Sequence, residues 1–457
     1  MRLRKLSGKR SSIALLGAAS LLLGNPVPRC DAQQATASAA AVLIVITLDE
    51  AIHRAEANEP AFAASVAASQ SARIDRSIAR AALLPSAIYH NQALYTQPNG
   101  LQNQAGQGVG AQPSPRFIAN NAVREYASQG VVNEMLGLQQ TAAVKHADAA
   151  AAVAEAEAEI ARRGLVSTIV GLYYGSISAE NKLTVARRAA GEADSFLDLT
   201  GKRETAREAA HADVVKAQLE QQQRQRDLAD ADLVAQKARL ELAVLVFADP
   251  RTTYTLQPPT SGALPEKAEV DADAAKNNPE LRSALASLKE SDADVSAARA
   301  AYLPDLGLNF TYGIDAPQFA AKGPDAVRNL GYSASVTVDI PVWDWLSTQH
   351  KIKQSEIRRD AVKVALSAAQ KRLVADLEEF YAEALAAHNQ LGSLDASAQT
   401  AAESLRLTKL RYSGGEATVL EVVDAQNALI TAKNARDDGA LRYETALANL
   451  QTLTGTF

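Results

Sequence analysis

The sequence predicts a mainly α-helical chain built twice over: duplicated long helical hairpins, with four β-strands that belong to a membrane barrel shared between chains. Three observations lead there. One pattern occurs twice, at a spacing too long for a solenoid. Each copy contains helix-forming stretches far longer than a globular domain uses. Each copy also carries two short strands that cannot close a sheet alone.

The duplication is legible residue by residue. Pro60 and Pro85 lie 25 residues apart, as do Pro279 and Pro304, an offset of 219. The stretches between them end alike, in AALLP (residues 81–85) and AAYLP (residues 300–304). Further on, AAHADVVKAQL (209–219) falls on ATVLEVVDAQN (417–427) at an offset of 208, and Leu242 and Leu245 fall on Leu450 and Leu453. A shorter loop in the second copy accounts most simply for the change of offset. The first repeat is expected over 47–260 and the second over 261–457.

The N-terminus has the form of an export signal over residues 1–32. Arg2, Arg4, Lys5, Lys9 and Arg10 precede an apolar run, Ser11 to Gly24, that is too short to span a bilayer. Small residues permit cleavage after Ala32 or after Ala39. Cys30 is the only cysteine, and Arg29 stands before it where a lipoprotein signal has a small residue. A chain without disulfides then suits an oxidising compartment. The formal charge is −5, and removing residues 1–32 takes it to about −10. So acidic a chain is a poor nucleic-acid binder. No second long apolar segment follows, so entry into a membrane has to be as a β-barrel.

The helices follow from composition and period. From Leu346 to Arg411 there is no proline and one glycine, Gly392. Val362, Leu366, Leu373, Leu377, Phe380 and Leu385 recur at helical spacing. Such a helix is roughly 100 Å long at 1.5 Å per residue. Ser413-Gly414-Gly415 then turns the chain into a helix from Ala417 to Leu453. The first copy matches, with a helix from Leu138 to Arg203, a turn near Glu204 to Arg207, and a helix from His211 to Phe247. On the helices alone, an ordinary coiled-coil rod or helical bundle would be the preferred reading.

The strands decide against it. Leu330, Tyr332, Ala334, Val336, Val338 and Ile340 alternate with Gly331, Ser333, Ser335, Thr337 and Asp339. Leu306, Leu308, Phe310, Tyr312 and Ile314 alternate with Gly307, Asn309, Thr311 and Gly313. Segments of ~10 residues with one apolar and one small or polar face have the pattern of transmembrane β-strands. Ala87–Tyr95 and Val123–Val132 are the matching strands of the first copy. The smallest membrane barrels need about eight strands, and an open edge in lipid is not allowed. Several chains therefore have to contribute to one barrel. Three chains give a barrel wide enough for a lumen, whereas two would give one filled by side chains.

Three stretches now resemble one family. They are LRYSGGEATVLEVVDAQ (410–426), the paired strand starts after Leu84-Pro85 and Leu303-Pro304, and VDIPVW (338–343). Over nearly the whole chain after the signal, the sequence resembles the TolC family of outer-membrane efflux proteins. The resemblance implies a homotrimer with a shared 12-stranded barrel in the outer membrane of a Gram-negative bacterium, its hairpins forming a trimeric α-barrel, a helical tunnel across the periplasm. The tunnel tips would meet a periplasmic adaptor bound to an inner-membrane pump. Substrates would pass through unchanged, so the chain is expected to be no enzyme and to need no cofactor or metal. The six histidines are scattered, and no phosphate loop or nucleophile elbow is present.

Candidate site residues follow. Glu421 and Asp424 lie one helical turn apart. By position they suit the positive end of a helix. The resemblance implies that they point into the pore, with Asp213 in the equivalent place of the first repeat. Such a ring of carboxylates would attract cations, and crowding would raise some of their pKa values. Tyr412 matches a tyrosine that helps hold the family's tunnel closed. Ala417 stands where a basic partner is common, so Arg411 or Arg207 is expected in the closing network. Gly414 and Gly415 would form the adaptor-facing turn. The tip of the first repeat lacks glycine, so the two tips would offer different contacts. Pro85, Pro304 and Pro341 mark strand–helix junctions, with Trp343, Trp345, Tyr302 and Tyr89 beside them as interface or packing aromatics. The competing reading is a periplasmic coiled-coil adaptor or structural rod with no barrel.

Overall fold

The computed structural model describes residues 44–95, 124–258, 262–316, 319–323 and 328–455. The expected signal peptide lies outside them, as does the connection 96–123. The first half runs β1 (Ile44–Ile46), α1 (Leu48–Asn58), α2 (Pro60–Ala81), β2 (Ser86–Tyr95), β3 (Arg124–Leu136), α3 (Leu138–Thr205) and α4 (His211–Val246). The second runs β4 (Tyr254–Leu256), α5 (Lys267–Asn277), α6 (Pro279–Ala300), β5 (Asp305–Ala316), β6 (Leu330–Asp339), α7 (Ser347–Ser413) and α8 (Val419–Thr454). Corresponding helices have equal lengths: 11 residues in α1 and α5, 22 in α2 and α6, 36 in α4 and α8. The long helices α3 and α7 have 68 and 67.

Local chemistry sets the boundaries. The Thr47 hydroxyl accepts from the Glu50 amide at the start of α1, and Asn278 caps α6 through the Leu281 amide at 2.8 Å. Pro60 and Pro279 occupy the first turn of α2 and α6, where a missing N–H costs nothing. After both helices the chain makes one turn twice: Leu83 N–H to Arg80 O and Leu84 N–H to Ala81 O, then Tyr302 N–H to Arg299 O and Leu303 N–H to Ala300 O. Pro85 and Pro304 follow and release the backbone into β2 and β5.

The four long strands form one antiparallel sheet in the order β2-β3-β5-β6. Leu306 stands opposite Val338, Leu308 opposite Val336, and Tyr312 opposite Tyr332. Val132 stands opposite Phe310. Directly opposed residues share a face, so the register gathers the apolar side chains on one side and Asn309, Thr311, Ser333, Ser335 and Thr337 on the other. The apolar face is weaker on the first-copy strands. There Asn91 and Ser128 interrupt it, and Ser128 is within 2.8 Å of both Asn91 Oδ1 and the Tyr89 hydroxyl. β3 continues to Leu136, beyond the expected end at Val132. β2 and β6 form the two outer edges of the sheet, and β6 is exposed along its whole length.

Each long helix carries two shorter ones. On α3 these are α2 and α4; on α7 they are α6 and α8. α6 and α8 also pack on α3 and so join the halves. Related cores form where α1 and α5 meet the hairpins. One contains Ala51, Ala55, Ile169, Tyr173, Leu242 and Val246, and the other Val270, Ala274, Leu377, Ala384 and Leu450. β1 and β4 were not expected from the sequence, because three residues are too few to show a period of two. They pair in parallel, Ile44 opposite Tyr254. The Tyr173 hydroxyl pins them, lying 3.0 Å from Ile46 O and 2.6 Å from Gln257 O. Arg163 of α3 reaches across the halves: Nη1 donates to Thr452 O (2.8 Å) at the end of α8, and Nη2 to Asn277 O (3.1 Å) at the end of α5.

Candidate tunnel tip and barrel junction

Both hairpins reverse by the same hydrogen bonds. The Glu208 amide donates to Arg203 O at 2.8 Å, and the Glu416 amide to Arg411 O at 2.8 Å. The preceding residue takes the left-handed conformation: Arg207 at φ 64° in the first tip, Gly415 at φ 79° in the second. Gly414 stays right-handed at φ −80°. Arg207 therefore occupies the place of Gly415, with a β-carbon that the conformation disfavours. Arg207→Gly should stabilise the first tip by about 1 kcal/mol, read as a rise in the thermal midpoint of the helical circular-dichroism signal. An unchanged midpoint would mean that Arg207 makes compensating contacts.

Tyr412 joins the tips. It is 5% exposed and packs with Phe196, Ala217, Val419 and Val422. Its ring lies 5.1 Å from the Phe196 ring, and its hydroxyl is 3.2 Å from Thr200 Oγ1. The Arg203 guanidinium stacks 4.9 Å above the ring and also donates to the Tyr412 carbonyl. Among the described residues, the cation stacked on this ring is Arg203. Arg411 turns instead to Glu421 (3.4 Å) and to Glu416 O (3.1 Å). Sequence reasoning missed Arg203, although the offset of 208 pairs it with Arg411 and could have drawn attention to it.

Glu421 sits in a capping box. Thr418 N–H donates to its carboxylate at 3.1 Å, and its own amide donates to the Thr418 hydroxyl at 3.3 Å. The Thr418 backbone N–H, then the Thr418 hydroxyl, then the Arg411 charge hold the carboxyl below its usual pKa. Asp424, one turn on, is exposed and makes no ion pair among the described residues. Asp213 is half-buried in the first turn of α4. Among the described residues no group of three or more His, Cys, Asp or Glu side chains is placed to hold a metal, and no helix is long and apolar enough to cross a membrane.

At the other end, the connection after Pro341 carries Trp343 and Trp345, 69% and 83% exposed, with ring centroids 5.7 Å apart at 73°. Neither indole is core within the chain. Trp345 and Leu346 both have left-handed backbone, at φ 55° and 64°. Asp344 restarts the chain as α7 by accepting from the Thr348 amide at 2.7 Å.

Residues 272–456 match the family described as outer membrane efflux protein. Outer membrane protein OprJ of Pseudomonas aeruginosa is 24% identical over 175 residues, 38% of this chain and 36% of that protein. The pyoverdine export outer membrane protein OpmQ of the same organism is 24% identical over 413 residues, 90% of this chain and 84% of that protein. The chain thus spans little more than a third of OprJ but most of OpmQ. Among solved structures, a membrane protein from Pseudomonas aeruginosa superposes with TM-score 0.75 at 20% identity, covering 91% of each chain. The mainly helical fold with a small antiparallel sheet, the duplicated hairpins and these matches agree in one likeness: the chain is similar to the TolC-like outer membrane efflux proteins, and its second half matches their family model.

Proposed function

We infer that this protein is the outer-membrane channel of a tripartite efflux or type I secretion system. Three copies share one 12-stranded barrel in the outer membrane, and their hairpins form an α-helical tunnel through the periplasm. The tips engage a periplasmic adaptor on an inner-membrane pump. The component passes its cargo without chemical change.

What carries this reading is the sheet. Four strands expose an apolar face and two unpaired edges directly above helices of 67 and 68 residues. Such edges are not viable in lipid unless other chains close them. A soluble rod or adaptor has no use for a sheet with that face. The test is the mass of detergent-extracted protein from the outer-membrane fraction, by light scattering corrected for detergent. Three chains support the channel. A monomer, or recovery in the soluble periplasm, sinks it and favours the rod.

The carboxylates refine the reading. Glu421, Asp424 and Asp213 would ring the narrow end of the tunnel. Glu421→Gln combined with Asp424→Asn should lower cation over anion preference in planar bilayers. Because Glu421 is engaged by Thr418 and Arg411, Asp424→Asn alone should account for the larger part. Unchanged selectivity would mean that these side chains face away from the pore.

A further inference from the structure

Two offsets relate the halves: 219 residues along α2/α6 and β2/β5, and 208 along α3/α7. The ion pairs Arg80–Asp148 and Arg299–Glu356, both at 2.8 Å, obey both offsets. Along one seam between the halves, α3 packs on α6 and β3 pairs with β5. His146 marks it, 2.9 Å from Asp294 and 3.6 Å from Glu290. On α3, Ala142, Ala149 and Ala156 lie at heptad spacing there; on α6, Ala286, Ala293 and Ala300 do the same. All six are at most 6% exposed.

Their counterparts are all uncovered. The offsets carry the α3 alanines to His350, Ile357 and Val364 on α7, and the α6 alanines to Ala67, Ile74 and Ala81 on α2. Every one is exposed, with Ile357 at 60%, Val364 at 70% and Ile74 at 61%.

The sheet repeats the pattern. Across the internal seam Asn133 of β3 stands opposite Asn309 of β5, and the Asn309 amide donates to Asn133 Oδ1. Ser86 opposite Asn133 and Asp305 opposite Asp339 make Asn133 the counterpart of Asp339. Asn309 is likewise the counterpart of His90. His90 and Asp339 are exposed, on the outermost strands of the sheet.

We propose that the edge made by β6 and α7 takes the edge made by β2 and α2 of a second copy in the register of the internal seam, so that His90 of one copy donates to Asp339 of the next. Ile357 then packs between Ala67 and Ile74 of the second copy. The side that donates and the side that accepts are the same as in the Asn309–Asn133 bond. Within its own chain Asp339 stands opposite Asp305, a like charge directly across the strands, which a donor on the free side offsets. The two edges are different patches, so the contact is heterologous and closes by forming a ring. Large side chains stand at this seam where the internal one has alanine, so α7 and α2 sit further apart than α3 and α6.

This rests on the shared-barrel reading, and the test separates the two. Ile74→Cys with Ile357→Cys, treated in the outer membrane with a short thiol cross-linker, should give covalent dimer and trimer on a non-reducing gel, while either single variant gives monomer. Oxidation should join Asn91→Cys to Val338→Cys, which are opposed in this register, in preference to Ala93→Cys with Val338→Cys, a slip of two residues. His90→Asp should lower the temperature at which the oligomer dissociates in detergent, and adding Asp339→His should restore it. A trimeric mass with no cross-link, or with the slipped pair joined instead, overturns this seam and leaves the channel standing. A monomeric mass overturns both.

Discussion

Arg163→Ala should destabilise the fold by about 3–5 kcal/mol, seen as a large drop in the thermal midpoint of the helical signal. The side chain is 9% exposed and bridges three groups: Glu159 at 2.7 Å, Thr452 O and Asn277 O. The last carbonyls of α8 and α5 have no partner inside their own helices. Alanine leaves both without the donor they have now and also unpairs Glu159. Arg163→Lys keeps the charge but offers a point donor in place of a planar fork. It should therefore recover only part of the loss. A midpoint within a degree or so of wild type for the alanine variant would mean that water replaces the guanidinium at little cost, and that the halves are held together elsewhere.

Tyr412→Ala should cost about 3–5 kcal/mol at the hairpin tips, the range for emptying a buried aromatic site. It removes the ring packed on Phe196, the platform for Arg203 and the hydroxyl beside Thr200. Because these contacts tie α3 to α7, the damage should be local: faster proteolysis or amide exchange near residues 196–205 and 410–423, with the barrel end unaffected. Tyr412→Phe keeps ring and platform and should lose only about 1 kcal/mol, the worth of one hydrogen bond. Equal loss in both variants would show that the hydroxyl, not the packing, joins the tips.

Much of the architecture was legible because it is periodic or repeated. The heptad-like spacing of Val362, Leu366 and Leu373 marks α7, and the alternation in residues 330–340 marks β6. The prolines at 60, 85, 279 and 304 mark matching turns. The first-copy strands were less clear, since Asn91 and Ser128 break the apolar face and their mutual hydrogen bond appears only once the register is known. At the tip, the sequence pointed to Tyr412 and to the glycine turn. It did not single out Arg203, whose approach to Tyr412 depends on how the two hairpins pack.

The sequence by itself determined the duplication, the long hairpins and the paired strands, all of which follow from local spacing of residue types. Only the tertiary structure decided that β1 pairs with β4, that Arg163 caps two helices of the other half, and that Arg203 rather than Arg411 holds Tyr412. The capping box that engages Glu421 while leaving Asp424 free was likewise visible only in the folded chain. Period and propensity act between neighbours along the chain. These contacts depend on which carbonyls and rings are brought together once two hairpins have packed, and a guanidinium chooses among acceptors by reach and burial, which one-dimensional spacing does not carry.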